Sequence, residues 1–321
     1  MTASAPAAAR FRVLVTGGGG QVATALREAL PARGMEAVVV GRPAFDFDRP
    51  ESLDEAVAAA RPDAVVNAAA WTAVDAAEAE EAAAHRANAE GPGRLARLCA
   101  EARAPLVHLS TDYVFDGRKG APYAEGDAPN PLSAYGRTKL AGERAVLGAG
   151  EGRAAVVRTS WVFAPGGRNF VRTMLAAGAS RPVLRVVADQ RGCPTAAPDL
   201  ADALAAFLAD ARDGGWSDAR HGGLFHAAGG GEATWHALAA AVFEDAVALG
   251  RFAGPVPRVE AIATADYPTP APRPPDGRLD CGRLARTLRV ALPPWREGLR
   301  RVLAAMPPTA GASGERPSAG R

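Results

Sequence analysis

A tyrosine and a lysine stand four residues apart, Tyr135 and Lys139, at the start of a helix-like segment. Residues four apart lie on one face of a helix, so the two side chains can act on the same molecule. A lysine ammonium near a tyrosine favours the phenolate and lowers the pKa of the phenol towards working pH. The pair is therefore predicted to give a proton to a carbonyl group.

The composition makes the lysine more informative than the spacing alone. Lys and Arg together number 37, yet Lys119 and Lys139 are the only lysines. An ammonium is a compact, rotatable donor, whereas a guanidinium is a planar fork. We interpret Lys139 as serving a task that arginine cannot perform, although a tyrosine and a lysine on a solvated helix face remain the plainer alternative.

The first segments of the chain have the order that a dinucleotide site requires. An apolar run at residues 11–16 precedes four glycines at 17–20 and a helical pattern at 21–31. Gly17 and Gly20 would let the backbone approach a pyrophosphate, and Gln21 and Val22 would open the helix that faces it. A flexible glycine loop is the alternative. Ala23 stands where a third glycine is usual.

The second strand, residues 35–40, ends in Gly41 and Arg42, where an NAD-specific site often carries an acid for the ribose hydroxyls. Arg42 could instead meet a 2′-phosphate. The prediction is NADPH, with NADH possible, and the alternative is that Arg42 is a solvated loop charge. Asp48, just before the next helix, is a candidate neighbour of the adenine.

Two later strand ends are expected at the same edge of the sheet. Residues 63–67 lead into small residues that include Ala68 and Ala69, and residues 105–110 lead into Thr111. Ligands of open parallel sheets bind at the carboxyl ends of the strands. Thr111 is predicted to hydrogen-bond a substrate carbonyl. One long alanine-rich helix is expected between these strands, over residues 77–103.

The alternation of strands and helices predicts an α/β fold, a doubly wound parallel Rossmann sheet with a smaller C-terminal α/β substrate-binding region. We predict a disordered lead-in at residues 1–10 and a Rossmann domain at 11–160 that includes the Tyr/Lys pair. Residues 161–306 are predicted to be mainly substrate-binding and interleaved with the core, and residues 307–321 a disordered tail.

Charge and cysteine usage exclude several classes of protein. A net charge of +2 and 22% charged residues give no polyanion-binding field, so no nucleic acid partner is expected, and no apolar run suggests a membrane span. Three separated cysteines favour a reducing compartment, with the cytoplasm as the default. The five histidines show no metal-binding spacing, so no metal is predicted. The sequence contains no motif that indicates magnesium dependence or an oligomeric state. A homodimer is possible.

With these segments placed, the chain resembles the extended short-chain dehydrogenase/reductases and, within them, the dTDP-4-dehydrorhamnose reductase family. The resemblance runs from about Val13 to Leu303. Eight ordered motifs carry it, at residues 17–21, 65–70, 72–78, 110–115, 135–143, 158–162, 189–195 and 267–271.

The resemblance implies NAD(P)H-dependent reduction of the 4-keto group of dTDP-4-dehydro-L-rhamnose to dTDP-L-rhamnose. It also implies a catalytic set of Thr111, Tyr135 and Lys139, with Tyr135 and Lys139 also at the cofactor. The implied substrate-binding residues are Thr72, Val74, Asp112, Trp161, Gln190 and Arg273. Pro272 and Gly277 replace an arginine and a serine often seen in the late loop of the family.

Two other kinds of protein remain as alternatives. One is another dTDP-deoxysugar 4-ketoreductase, or an epimerase or dehydratase of the same superfamily. Related dehydratases follow their catalytic threonine with Asp-Glu, whereas Tyr113 takes the second position here. The other is a non-catalytic binding protein similar to the regulatory subunit of methionine adenosyltransferase, which has no chemical need for the set of Thr111, Tyr135 and Lys139.

Overall fold

The computed structural model describes residues 10–307. Most of the predicted lead-in and tail, residues 1–9 and 308–321, lies outside the described residues. The strands of the described chain are β1 (Phe11–Thr16), β2 (Met35–Val40), β3 (Ala64–Asn67), β4 (Leu106–Thr111), β5 (Ala154–Thr159), β6 (Val162–Phe163), β7 (Val183–Val187), β8 (Arg191–Gly192), β9 (Thr195–Ala196), β10 (Gly223–His226), β11 (Ala233–Thr234) and β12 (Arg258–Ile262).

Helices surround these strands. They are α1 (Gln21–Ala32), α2 (Glu51–Ala60), α3 (Val74–Ala79), α4 (Glu81–His85), α5 (Gly91–Glu101), α6 (Ala134–Ala149), α7 (Phe170–Gly178), α8 (Ala197–Gly214), α9 (Asp218–His221), α10 (Trp235–Ala248), α11 (Gly282–Leu288) and α12 (Trp295–Ala305).

A six-stranded parallel sheet in the order β10-β5-β4-β3-β1-β2 confirms the predicted fold class. The chain moves from β1 outward to β2 and then returns to the other side of β1 with β3. Crossover connections on the two sides of this point diverge and leave a crevice at the carboxyl ends of β1 and β3. The sheet order therefore fixes where a ligand can bind.

Both faces of the sheet are covered, because successive side chains of each strand point to opposite sides. Val13 and Val15 of β1 join one apolar core with α1 and α8, while Leu14 joins a second core with α2 and α5. Parallel strands that are buried on both faces read as nearly continuous apolar runs. This is why the strands were visible in the sequence.

A third apolar core lies in the C-terminal part of the chain, formed by α7, α10, α12 and the parallel pair β7–β12. The segments of this region do not stay together, however. Helix α8 packs on α1, and β10 pairs with β5 as an edge strand of the main sheet. The division at residue 160, with its interleaved second part, stays a prediction.

The prediction of one long helix over residues 77–103 is wrong. The segment forms α3, α4, a π-helical turn at Arg86–Glu90 and α5. Pro92 has no N–H to give to the carbonyl of Asn88, so a regular ladder cannot run through this point. A Cβ on Gly142 would lie 1.9 Å from the Asn88 carbonyl oxygen, so α6 passes directly against the turn.

Among residues 10–307, no helix has the length and apolar character needed to cross a membrane. The same residues contain no cluster of three or more His, Cys, Asp or Glu side chains that could hold a metal ion.

Candidate active site

A cleft of about 910 Å³ opens at the carboxyl ends of the central strands. A cleft of this size is ordinary for a cofactor together with its substrate. Most of the residues singled out from the sequence line it. They are Gly17, Gly20, Gln21, Val22, Arg42, Ala68, Ala69, Thr72, Val74, Thr111, Asp112, Tyr135, Lys139 and Trp161.

The glycine turn forms one end of the cleft and is built for close backbone approach. Gly17 has φ +104°, and a Cβ there would lie 2.9 Å from the carbonyl carbon and oxygen of Ala68. Gly20 precedes α1 with no side-chain cap on the first turn of the helix. The first N–H groups of α1 are therefore available to an anion, so these residues fit the diphosphate of a dinucleotide.

The end of β2 contributes Arg42, whose side chain is 73% exposed and lies 3.5 Å from the carboxylate of Asp46. Phe45 and Phe47 line the same part of the cleft with their rings. Asp48 does not line it. Its carboxylate accepts a hydrogen bond from Arg86 at 3.1 Å instead, so the structure does not bring Asp48 together with the other predicted cofactor residues.

Helix α6 presents the tyrosine and lysine to the middle of the cleft. Ser133 caps the helix by accepting a hydrogen bond from the Gly136 N–H at 3.2 Å, which fixes where the first turn begins. Tyr135 and Lys139 are both buried and both line the cleft. Lys139 Nζ donates to the carbonyl oxygen of Leu109 at 2.7 Å, so its ammonium is tied to β4.

The predicted acidic shift of the phenol is wrong for this structure. Burial raises the pKa of Tyr135 to about 12, although a hydrogen bond with Thr111 acts in the opposite direction. Burial also lowers the pKa of Lys139 to about 8, against the negative charge of Glu143. Loss of water therefore outweighs the hydrogen bond with Thr111, and Tyr135 is a protonated phenol at neutral pH.

Thr111 and Asp112 form a small polar cluster beside the phenol. Thr111 Oγ1 donates to Asp112 Oδ1 at 3.0 Å, and Ser160 Oγ donates to Asp112 Oδ2 at 3.2 Å. Burial raises the pKa of Asp112 to about 7, with these hydrogen bonds opposing the effect. Tyr113 packs edge to face on Tyr135, with ring centroids 5.4 Å apart.

Two stacked tryptophans form another wall of the cleft. Trp161, in the left-handed conformation with φ +47°, stacks on Trp235 with ring centroids 3.5 Å apart and planes 9° apart. A Cβ on Gly192 would lie 2.4 Å from the Trp161 ring, so only glycine fits there. The strained backbone of Trp161 is thus held by the packing of its ring.

Two predicted substrate residues do not line the cleft. Gln190 accepts a hydrogen bond from Trp235 Nε1 at 3.2 Å and donates to Thr264 at 3.1 Å, so it supports the tryptophan wall from behind. Arg273 donates to both carboxylate oxygens of Asp75 at 2.9 Å. This ion pair joins the proline-rich segment at residues 267–275 to α3.

Sequence reasoning missed other lining residues, among them Trp235, Arg168 and Ser160. Trp235 begins α10, in a part of the chain that no recognised motif covers. Ser160 directly follows the carboxyl end of β5, and Arg168 lies between β6 and α7. Ser160 also belongs to the recognised motif at residues 158–162, so the rule that ligands bind at strand ends could have selected it.

Known proteins resemble this chain over nearly its whole length. The family model described as the RmlD substrate binding domain matches residues 11–307. The chain is 43% identical to a dTDP-4-dehydrorhamnose reductase of Sinorhizobium fredii, over 92% of this chain and 98% of that protein. It is also 43% identical to a Streptomyces antibioticus protein named probable dTDP-4,6-dihydroxy-2-methyloxan-3-one 4-ketoreductase, over 93% of this chain and 98% of that protein.

A solved structure agrees with these relatives. The crystal structure of a dTDP-4-dehydrorhamnose reductase from Bacillus anthracis, in complex with NADP, has a TM-score of 0.82 and 30% identity, covering 92% of this chain and 99% of that one. The family match and the identity over nearly the whole chain agree with the geometry of the cleft. They confirm the resemblance read from the motifs: the chain belongs to the dTDP-4-dehydrorhamnose reductase family.

Proposed function

We propose that this chain reduces the 4-keto group of dTDP-4-dehydro-L-rhamnose to the hydroxyl of dTDP-L-rhamnose, with NADPH as the reductant. One observation carries the proposal. A single cleft joins a dinucleotide turn to Thr111, Tyr135 and Lys139, which are the residue types that carbonyl reduction requires. The family to which the chain belongs supports the identity of the sugar.

The cofactor end of the cleft comprises the glycine turn, Gln21, Val22, Ala68 and Ala69. Their backbone groups would hold the diphosphate and the adjoining ribose. Arg42 supports NADPH over NADH, because an exposed guanidinium after the end of β2 suits a 2′-phosphate. A reduced nicotinamide bound there would supply a hydride to the sugar carbon.

The residues of the chain must then stabilise the oxygen of the carbonyl. As negative charge develops there, the Thr111 hydroxyl donates a hydrogen bond and Tyr135 gives up its proton. A phenol that stays protonated at neutral pH is ready for this step, since an alkoxide is a far stronger base. Lys139 lies one helical turn away and stabilises the phenolate that remains.

The tryptophan wall and the polar cluster would receive the sugar. Trp161 and Trp235 offer flat apolar surface, and Asp112 offers oxygens that can accept hydrogen bonds from sugar hydroxyls. Thr72 and Val74 line the same cleft after β3. Gln190 is proposed to act through Trp235 and not by direct contact.

A second candidate is the reduction of another dTDP-4-keto deoxysugar. The Streptomyces antibioticus relative, as similar in sequence as the Sinorhizobium fredii protein, is named for such a reaction. The two candidates share cofactor and chemistry and differ only in the hydroxyl pattern of the hexose. A homodimer and a cytoplasmic location also remain predictions from the sequence.

The test is to measure NADPH and NADH oxidation by the purified chain against a panel of dTDP-4-keto sugars. Stoichiometric NADPH consumption with dTDP-4-dehydro-L-rhamnose, and formation of dTDP-L-rhamnose, is expected. Preference for another keto sugar would favour the second candidate. A product formed without net NADPH consumption would contradict both and favour an epimerase or dehydratase. Absence of turnover with every sugar would favour a binding protein.

A further inference from the structure

A buried histidine that the proposed chemistry does not use lies directly behind the lysine. Register places Thr16, Asn67 and His108 side by side on the neighbouring strands β1, β3 and β4. All three side chains are fully buried on the face of the sheet that is covered by α6. Their hydrogen bonds form one chain that ends at Lys139.

The orientation of the Asn67 amide sets the direction of this chain. Asn67 Oδ1 lies 2.6 Å from Thr16 Oγ1 and 3.2 Å from the backbone nitrogen of Ala69. A backbone N–H can only donate, so the amide oxygen must face it and Nδ2 must face His108. Asn67 Nδ2 lies 2.9 Å from His108 Nδ1.

This contact fixes the tautomer of the imidazole. An amide NH₂ only donates, so His108 Nδ1 must be an acceptor without a proton. Burial lowers the pKa of His108 well below its ordinary value, and the charge of Lys139 acts in the same direction, so the ring is neutral. A neutral imidazole with an unprotonated Nδ1 carries its proton on Nε2.

The Nε2–H group then points at the lysine. His108 Nε2 and Lys139 Nζ are 3.5 Å apart. An ammonium has no lone pair, whereas a neutral amine can accept a hydrogen bond from Nε2–H while it still donates to the Leu109 carbonyl oxygen at 2.7 Å. The imidazole therefore stabilises the amine form of Lys139 relative to the ammonium form.

We infer that His108, held as the Nε2–H tautomer by Asn67, is a positioning residue that favours release of a proton from Lys139 to Tyr135 at the end of the proposed reduction. In this step the Lys139 ammonium releases one proton and the Tyr135 phenolate gains one through the cleft that both side chains line, so the phenol is restored and the amine is left. The amine then takes a proton from water. The inference rests on the proposed function in one respect, because it requires that Tyr135 loses a proton during turnover.

Other charged groups near Lys139 do not provide this effect. Glu143, one turn further along α6, favours the ammonium, and it is itself held by Arg158 from β5 at 2.6 Å. Asp112 and Tyr113, which follow β4, line the cleft on the side of Tyr135. Within the described chain, His108 is the titratable side chain that hydrogen-bonds to the lysine.

The small number of lysines allows a direct test that needs no substrate. Lysine labelled at the side chain with ¹³C and ¹⁵N gives two sets of signals in NMR spectra, and Lys119→Arg assigns Lys139. Burial lowers the pKa of Lys139 to about 8, so the titration is observable in folded protein. His108→Asn keeps an acceptor for Asn67 but loses Nε2–H, and should raise the midpoint by about one pH unit, a tenfold change in the ratio of amine to ammonium.

Two further variants test whether the group that His108 turns towards Lys139 sets the lysine midpoint. Asn67→Asp would accept a hydrogen bond from Nδ1–H and turn a lone pair on Nε2 towards the lysine, and both this lone pair and the added carboxylate charge should raise the midpoint. His108→Gln, whose longer amide can still offer an N–H, should stay near the wild-type midpoint. An unchanged midpoint in folded His108→Asn would overturn the inference, whether or not the chain reduces a sugar nucleotide.

The pH profile of kcat connects the titration to turnover. In His108→Asn the alkaline limb of the profile should move to higher pH, together with the midpoint of the lysine titration. If kcat falls equally at every pH and the alkaline limb stays at the same pH, His108 has only a structural role. Failure of the wild-type chain to oxidise NADPH with any sugar would instead contradict the proposed function and leave the NMR result standing.

Discussion

The two ends of the cleft are built in different ways. The proposed cofactor end, within residues 17–22, 41–47 and 68–70, offers mostly backbone groups and small residues from three consecutive strand ends. The substrate end takes side chains from distant segments, including Asp112 after β4, Trp161 after β5 and Trp235 at the start of α10. The first end depends on local turns, and the second depends on how the C-terminal region packs on the sheet.

This difference predicts that substitutions should separate cleanly in kinetics. Changes at the cofactor end should alter the parameters for NADPH, and changes at the substrate end those for the sugar. Only the reacting centre between them should alter kcat with both ligands bound.

Tyr135→Phe should have the largest effect, because it removes the proton donor at the point where the two ends meet. We expect kcat to fall by about 10²–10⁴-fold, the usual contribution of a general acid. The dissociation constant for NADPH, measured by fluorescence titration, should stay close to that of the wild type. Turnover near the wild-type rate would remove Tyr135 from the mechanism.

Arg42→Ala tests the cofactor end alone. Loss of a charged hydrogen bond to a 2′-phosphate should raise the KM for NADPH by about 10–100-fold. The KM for NADH and the KM for the sugar should hardly change. Equal loss with both cofactors would show that Arg42 does not read the 2′-phosphate.

Trp235→Leu tests the substrate end alone. Loss of the stacking partner of Trp161 should raise the KM for the sugar by about tenfold, in line with the energy of an aromatic pair. Trp235→Phe, which keeps an aromatic ring, is the matched control and should lose less. An altered affinity for NADPH in Trp235→Leu would show that the two ends are not independent.

Arg273→Gln should have the smallest effect and should act on stability. The ion pair with Asp75 is partly exposed, so its loss should lower the free energy of unfolding by about 1 kcal/mol or less.

The hydrogen bond from Arg273 lowers the pKa of Asp75 below its ordinary 3.8. The folded carboxyl thus stabilises the protein above that pH and loses the contribution as the pH falls further. Urea unfolding at pH 7 and pH 3 should show a smaller difference between variant and wild type at pH 3. A large rise in the sugar KM would restore Arg273 as a substrate contact.

The sequence was informative where function depends on neighbouring residues. The glycine turn, the strand ends and the pair of Tyr135 and Lys139 each lie within a short segment, and the cleft brings them together as predicted. The π-helical turn before Pro92 was also readable, since proline has no N–H to donate to the carbonyl group four residues earlier.

What the sequence could not reveal depends on contacts between distant segments. Gln190 and Arg273 carry suitable polar groups, yet Trp235 and Asp75 take those groups as partners inside the protein. The pKa of Tyr135 depends on how completely the fold removes water from the phenol. Spacing along a helix reports which groups are close to each other and says nothing about the solvent around them.

The packing of Trp161 has a consequence for attempts to change the sugar preference by directed evolution. The backbone at Trp161 is strained, its ring is clamped by Trp235, and Gly192 leaves no room for even one methyl group. Random libraries at Trp161 and Gly192 should therefore yield mostly destabilised variants. Thr72, which lines the cleft with an exposed side chain, is the position at which new specificity can be selected at little cost in stability.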